Sequence, residues 1–218
     1  MVRTENLDRL INQYVDAKDF VIDNGYEREI DWQLGLDFTA STESDFLREG
    51  AWVILSSGMR ESTIRQKFDA ISDAFLDFSS AVEIVEHCDV CRADSLLVFN
   101  HHKKIDAILS MSLRVVLDGF QAIKSSTNHY GIKYLRSFDF IGPATSYHLA
   151  KNLGLNVPKP DRHLCRVAEV SGFDSVQQLC ESISAVTGDP VPVVDLVIWR
   201  FATLRADYKL WFTESGPH

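Results

Sequence analysis

Residues 138–167 read FDFIGPATSYHLAKNLGLNVPKPDRHLCRV. Phe140-Ile141-Gly142-Pro143 must end any helix before it, because proline lacks a backbone N–H and fits only a helix's first turn. Upstream, Ile132, Leu135 and Phe138 recur at helical spacing; downstream, Tyr147, Leu149, Ala150 and Leu153 are available for packing. The spacing predicts two helices around a tight turn over 132–153. Pro158 and Pro160 then stiffen the approach to Asp161, and Leu164, Val167 and Ala168 resume a helical stripe. Asp161 stands where an N-cap belongs. Two readings are open: a cap alone, or a cap that turns its second oxygen to a cleft.

The rest of the chain is helical in period. Leu7, Leu10, Ile11, Tyr14 and Val15, then Val21 and Ile22, make one stripe. Phe46, Leu47, Gly50, Ala51, Ile54 and Leu55 make a second, and Ile64, Phe68, Ile71 and Phe75 a third. Ile105, Ile108, Leu109, Leu113, Val116 and Leu117 follow, then Val176, Leu179, Cys180, Ile183 and Val186. VPVVDLVIWRFATL is apolar nearly all round and reads as a core helix, which assigns Trp199 to packing. One stretch differs: Ile30, Trp32, Leu34, Leu36 and Phe38 alternate strictly. That is a strand signal, but a lone strand has no pairing partner, so an extended segment lying on the helices is expected. The fold class is all-α, with about nine to eleven helices.

The chain's 218 residues suit one large domain or two small lobes sharing a cleft. At 45% hydrophobic and 11% aromatic, it can bury a substantial core. It has no apolar run of eighteen residues and no secretory-type leader, so a cytoplasmic location is expected. Cys88 and Cys91 form a Cys-x-x-Cys pair, but the nearby His101 and His102 are adjacent and point apart. Buried, reduced thiols are expected rather than a zinc site.

Net charge is −9, which argues against a general polyanion binder. Residues 101–170 nevertheless carry ten Lys/Arg against five Asp/Glu, a balance of +5, and five of the seven histidines. A single basic face on an acidic body suits contact with an anion. The turn offers one way to make it. Gly142 is expected to supply the unusual backbone conformation, and the N–H groups after it begin a helix without intrahelical acceptors. Such groups favour a phosphate oxygen.

With these parts in order, the chain resembles the helix-hairpin-helix superfamily of DNA glycosylases. RSFDFIGPATS is similar to the family's hairpin, TSYHLAKNLGLNVPKPDRHLCRVAEVSGF to its second hairpin helix and catalytic-aspartate helix, HHKKIDAIL to an upstream helix, and WVILSSGMREST to the first helix of its six-helix lobe. The resemblance covers roughly residues 43–205. It implies a two-lobed fold with an interlobe cleft, one lobe from 1–42 plus 164–218 and a six-helix lobe over 43–163. It also implies hydrolysis of an N-glycosidic bond in double-stranded DNA, with Asp161 as the catalytic carboxylate and the chain acting as a monomer. DNA contacts fall to Phe140, Gly142, Ala144, Thr145, Lys159, Arg162 and His163. Tyr26, Trp32, Trp52 and His102 are base-pocket candidates, since aromatic faces stack on extruded bases. No metal is implied, though relatives hold a monovalent cation at the hairpin carbonyls.

Two departures sharpen this. Phe140 stands where the family hairpin has its first glycine, as in the bacterial 3-methyladenine glycosylase I hairpin. Ala144 replaces the lysine of bifunctional members, so no Schiff base can form there and a monofunctional enzyme is expected. The family's wedge residue would fall near Gly58-Met59-Arg60. Alkylated purine is the first substrate expectation, with oxidised purine, uracil and phage-type modified pyrimidines open. The alternatives are a non-catalytic DNA-binding protein of this fold, a defence glycosylase for phage-type bases, a helical hydrolase using the cysteine and histidine pairs, and a helical scaffold.

Overall fold

The computed structural model describes residues 4–213. In chain order the helices are α1 (Thr4–Val21), α2 (Glu27–Leu34), α3 (Glu43–Ser56), α4 (Glu61–Ala74), α5 (Ala81–Glu86), α6 (Cys88–Val98) and α7 (His102–Asp118). They continue as α8 (Phe120–Tyr130), α9 (Ile132–Leu135), α10 (Pro143–Asn152), α11 (Arg162–Val170), α12 (Val176–Thr187), α13 (Val191–Leu204) and α14 (Tyr208–Trp211). No strand occurs among the described residues, so the chain is all-α. The helices outnumber the sequence expectation in part because α5 and α14 are too short to show a stripe. No single described helix is long and apolar enough to cross a membrane.

The chain divides into two units, one of residues 1–37 with 154–218 and one of residues 38–153. Residues 154–163, assigned from sequence to the six-helix lobe, belong instead to the first unit. Val191 N donates to Asn156 Oδ1 (3.2 Å), and Lys159 N donates to the buried carboxylate of Asp195. These bonds tie the proline-rich loop to α13.

In the first unit, α13 is the central element, and α1 runs along it with Leu10, Tyr14, Ala17 and Val21 fully packed. Asp189, between α12 and α13, accepts from Tyr14 Oη (2.7 Å) and Lys18 Nζ (2.8 Å). Burial and then Asp189 push the Tyr14 hydroxyl far above its usual pKa. The alternating segment is not extended: residues 27–34 form α2. Gly25, at φ +87°, turns the chain after α1, and Ile30 and Gln33, one turn apart, become the buried pair. Trp32 and Leu34 stay on the surface, so the period-two pattern came from apolar residues that are not buried.

The second unit is built around phenylalanine. Phe46 packs against Phe120 and Phe138, and Phe68, Phe75 and Phe78 stack nearby. Thr42 and Asp45 cap α3 reciprocally, which satisfies two of its free N-terminal donors. A Cβ on Gly50 of α3 would run into the end of the Met111 side chain of α7, so the glycine leaves the room that this methionine fills. Leu76, Asp77 and Phe78 share a left-handed turn at φ +55° that delivers Phe78 into the core. In the α7 stripe, Leu113, Val116 and Leu117 remain exposed.

Candidate functional site

The hairpin lies wholly in the second unit. Leu135 and Phe138 anchor α9 and the turn to the core, and Leu149 and Ala150 anchor α10. Arg136 Nε donates to Ser146 Oγ (3.3 Å), and Ser146 Oγ donates to the Pro143 carbonyl (3.0 Å). The turn is closed by Thr145, whose Oγ1 accepts from Gly142 N at 2.6 Å and reaches the Phe140 and Gly142 carbonyls at 3.3 Å each.

This closure moves the conformational demand away from the glycine. Gly142 sits at φ −88°, open to any residue, and a Cβ there would meet nothing nearer than Thr145 Oγ1 at 3.9 Å. The left-handed residue is Phe140, at φ +62°. A non-glycine side chain there costs roughly 1–2 kcal/mol. The Gly142 N–H is consumed by Thr145 and Pro143 has none, so the first-turn donors left for a phosphate are those of Ala144 and Thr145. The Phe140 ring is 40% exposed and meets His101 edge-on at 6.3 Å.

His101 is held in turn. Its Nδ1 accepts from Lys104 N as the N-cap of α7, and its ring lies parallel to Phe99. Lys104 is buried, and its Nζ donates to the Leu55 and Ser57 carbonyls, 2.6 Å each. Burial lowers its pKa. The lysine thereby caps α3 and fixes the start of the loop through Gly58, Met59 and Arg60.

The carboxylate lies in the first unit. Asp161 Oδ1 accepts from His163 N (2.8 Å) and Leu164 N (3.0 Å), so it caps α11 as its sequence position implies. The cap uses one oxygen and leaves Oδ2 outside it. The side chain is partly exposed, on a loop held by Asp195 and flanked by Pro158 and Pro160. Cap and chemistry are therefore compatible.

The neighbours are less well arranged for phosphate. Arg162 is exposed, but its Nε donates to His163 Nε2 (3.2 Å), which makes that nitrogen an acceptor rather than a phosphate donor. His163 Nδ1 is buried and finds no hydrogen-bond partner among the described residues, while the ring packs on Tyr208. Burial lowers the His163 pKa despite the pull of Asp161. Lys159 contributes its backbone N–H to Asp195.

The base-pocket candidates divide. Tyr26 lies under the Arg200 guanidinium (4.2 Å), which also pairs with Glu29 (2.7 Å). Trp32 is exposed on α2. In the other unit, Trp52 packs edge-on against Phe68 (5.1 Å) with Arg65 over its ring, and His102 is exposed with its Nδ1 3.3 Å from Arg92. Tyr26 and Trp52 are thus engaged in packing, and Trp52 and His102 are held by different neighbours within their unit. Cys88 and Cys165 are exposed while Cys91 and Cys180 are buried, so half the thiols depart from the buried expectation. No group of three or more potential metal ligands occurs among the described residues.

Sequence reasoning missed three polar ties within the units: Lys104 on the α3 carbonyls, Asp195 on the Lys159 amide, and Glu49 with Asn152 (2.8 Å). Asp195 was the most findable, as a lone carboxylate in the most apolar helix. In comparisons with known proteins, no family model matches the chain and no curated protein matches it significantly.

Proposed function

We propose that the chain is a monofunctional DNA glycosylase of the helix-hairpin-helix kind, which removes a damaged or modified base and leaves an abasic site. The observation that carries this reading is the divided use of Asp161: one oxygen is fixed by two α11 amides and the other is left for chemistry, on a loop stiffened by two prolines. The hairpin supports it with two first-turn amides suited to a phosphate.

In this reading the target nucleotide is extruded, at a cost of a few kcal/mol that is least for a damaged or mismatched base. As the C1′–N bond breaks, the electron pair leaves with the base and positive charge grows on the sugar. The Asp161 carboxylate stabilises that charge and takes a proton from the water whose oxygen bonds to C1′. Ala144 offers no amine, so no Schiff base forms and the strand stays intact until alkali cleaves it.

The test is a panel of duplexes, each with one alkylated purine, oxidised purine, uracil or bulky modified pyrimidine, treated with protein and then with alkali. The wild-type chain is expected to give strand breaks on at least one substrate. Asp161→Asn is expected to lower them by about a hundredfold or more, because asparagine keeps the cap oxygen but not the charge. Intact strands on every substrate, or equal breaks with the variant, would refute the proposal; breaks without alkali would refute its monofunctional part.

A further inference from the structure

Four non-glycine residues among those described have positive φ: Leu76, Asp77, Phe78 and Phe140. The first three form one turn, and burial of Phe78 between Phe75 and Phe68 offsets its strain. Phe140 recovers far less, since 40% of it remains exposed and its ring contact is an edge-on one with His101. Glycine would occupy this position without strain. A bulky ring held at a strained, exposed position points to a ligand contact.

The mounting is rigid as well. His101 caps α7 through Nδ1 and lies parallel to Phe99, itself 7% exposed (6.0 Å, 6°). The turn that carries Phe140 is closed by Thr145, whose hydroxyl reaches the Phe140 carbonyl. The backbone beneath the ring and the imidazole beside it therefore have little freedom left to lose on binding. The chain beside His101 continues as His102 and Lys103, both exposed, which suits a polyanion.

We infer that Phe140, backed by His101, is a stacking platform for an unpaired nucleobase on the DNA strand that the hairpin holds. The inference rests on the nucleic-acid reading of the hairpin and deepens it. A phosphate at the Ala144 and Thr145 amides would leave its own or the next base beside Phe140. A paired base keeps its faces inside the helical stack, whereas a single-stranded or locally opened one can lie on an aromatic ring. The position thus recognises opened DNA rather than intact duplex.

The experiment measures fluorescence anisotropy of a labelled twelve-nucleotide poly-dT strand and of the matching duplex, with the full-length chain. Three variants are compared: Phe140→Gly, which frees the backbone and removes the ring; Phe140→Leu, which keeps bulk without a flat face; and Phe140→Tyr, which keeps the face. Glycine and leucine are each expected to weaken single-strand binding about five- to 150-fold, with duplex binding within about twofold and tyrosine close to wild type. Phe140→Gly should melt no lower than wild type. If the wild-type chain binds neither DNA, the hairpin reading falls and the platform with it. If it binds but glycine or leucine matches wild type on the single strand, the platform alone is refuted. Equal loss on both DNAs would refute it too, since the ring would then not discriminate opened DNA.

Discussion

Glu49 lies on α3 inside the second unit, where its carboxylate accepts from Asn152 Nδ2 at 2.8 Å. The residue is half-buried there. Burial pushes its carboxyl up to about 7, against the opposing pull of Asn152 and Arg48, and Asp45 adds a small push upward. In the unfolded chain the group titrates near 4.5. Between those values the folded chain keeps a proton that the unfolded chain has lost. Acid therefore favours the folded state, and this contribution falls away as pH rises from about 4.5 to about 7. At 1.36 kcal/mol per pH unit, the window is worth on the order of 3 kcal/mol. Glu49→Gln keeps the shape and an acceptor for Asn152 but cannot ionise. Urea unfolding of both chains, followed by circular dichroism at pH 5 and pH 8, isolates the group. The glutamine chain should gain on the wild type by about 2–3 kcal/mol between the two pH values. A difference that stays constant with pH would show that the carboxyl is solvated in the folded chain, and the reasoning would fail.

Two further substitutions test the local physics. Gly142→Ala should change stability by less than about 0.5 kcal/mol in thermal melting, because φ is negative and the nearest atom is distant; a loss of several kcal/mol would return the conformational demand to the glycine. Lys104→Met keeps the apolar stem and removes both bonds to the Leu55 and Ser57 carbonyls. It should cost about 2–3 kcal/mol in urea titration and loosen amide-exchange protection first around 57–60.

The helices that face a core on one side were legible in the sequence. The stripes of α3 and α4 are copied directly into burial, and those of α1 and α12 in most of their positions, with Val15 and Val186 left exposed, because period 3.6 is what a one-sided helix needs. The α2 region failed for the same reason: Trp32 and Leu34 are apolar without being buried, and they imposed a false period of two. At the candidate site, the cap at Asp161 could be read from position alone. The turn could not. Sequence marks Gly142 as the permissive residue, but the bond from its N–H to Thr145 sets its geometry and passes the left-handed conformation to Phe140. The Glu49–Asn152 and Lys104–Leu55 ties join residues far apart along the chain, and one-dimensional periodicity carries no pairing information.

The first unit is assembled from two segments that flank the second unit in sequence, and this sets an order of events on the ribosome. The 38–153 unit is synthesised in one stretch, so all of its internal partners have emerged before translation reaches α13. α1 has no such fortune. Its apolar stripe through Leu10, Tyr14 and Val21 packs against α13, and the Tyr14 and Lys18 bonds wait for Asp189. Until those residues leave the exit tunnel, α1 is an uncovered hydrophobic helix, the kind of surface that holdase chaperones bind. Chains truncated before α13 should be aggregation-prone, whereas the 38–153 unit, continuous in sequence, can finish folding early.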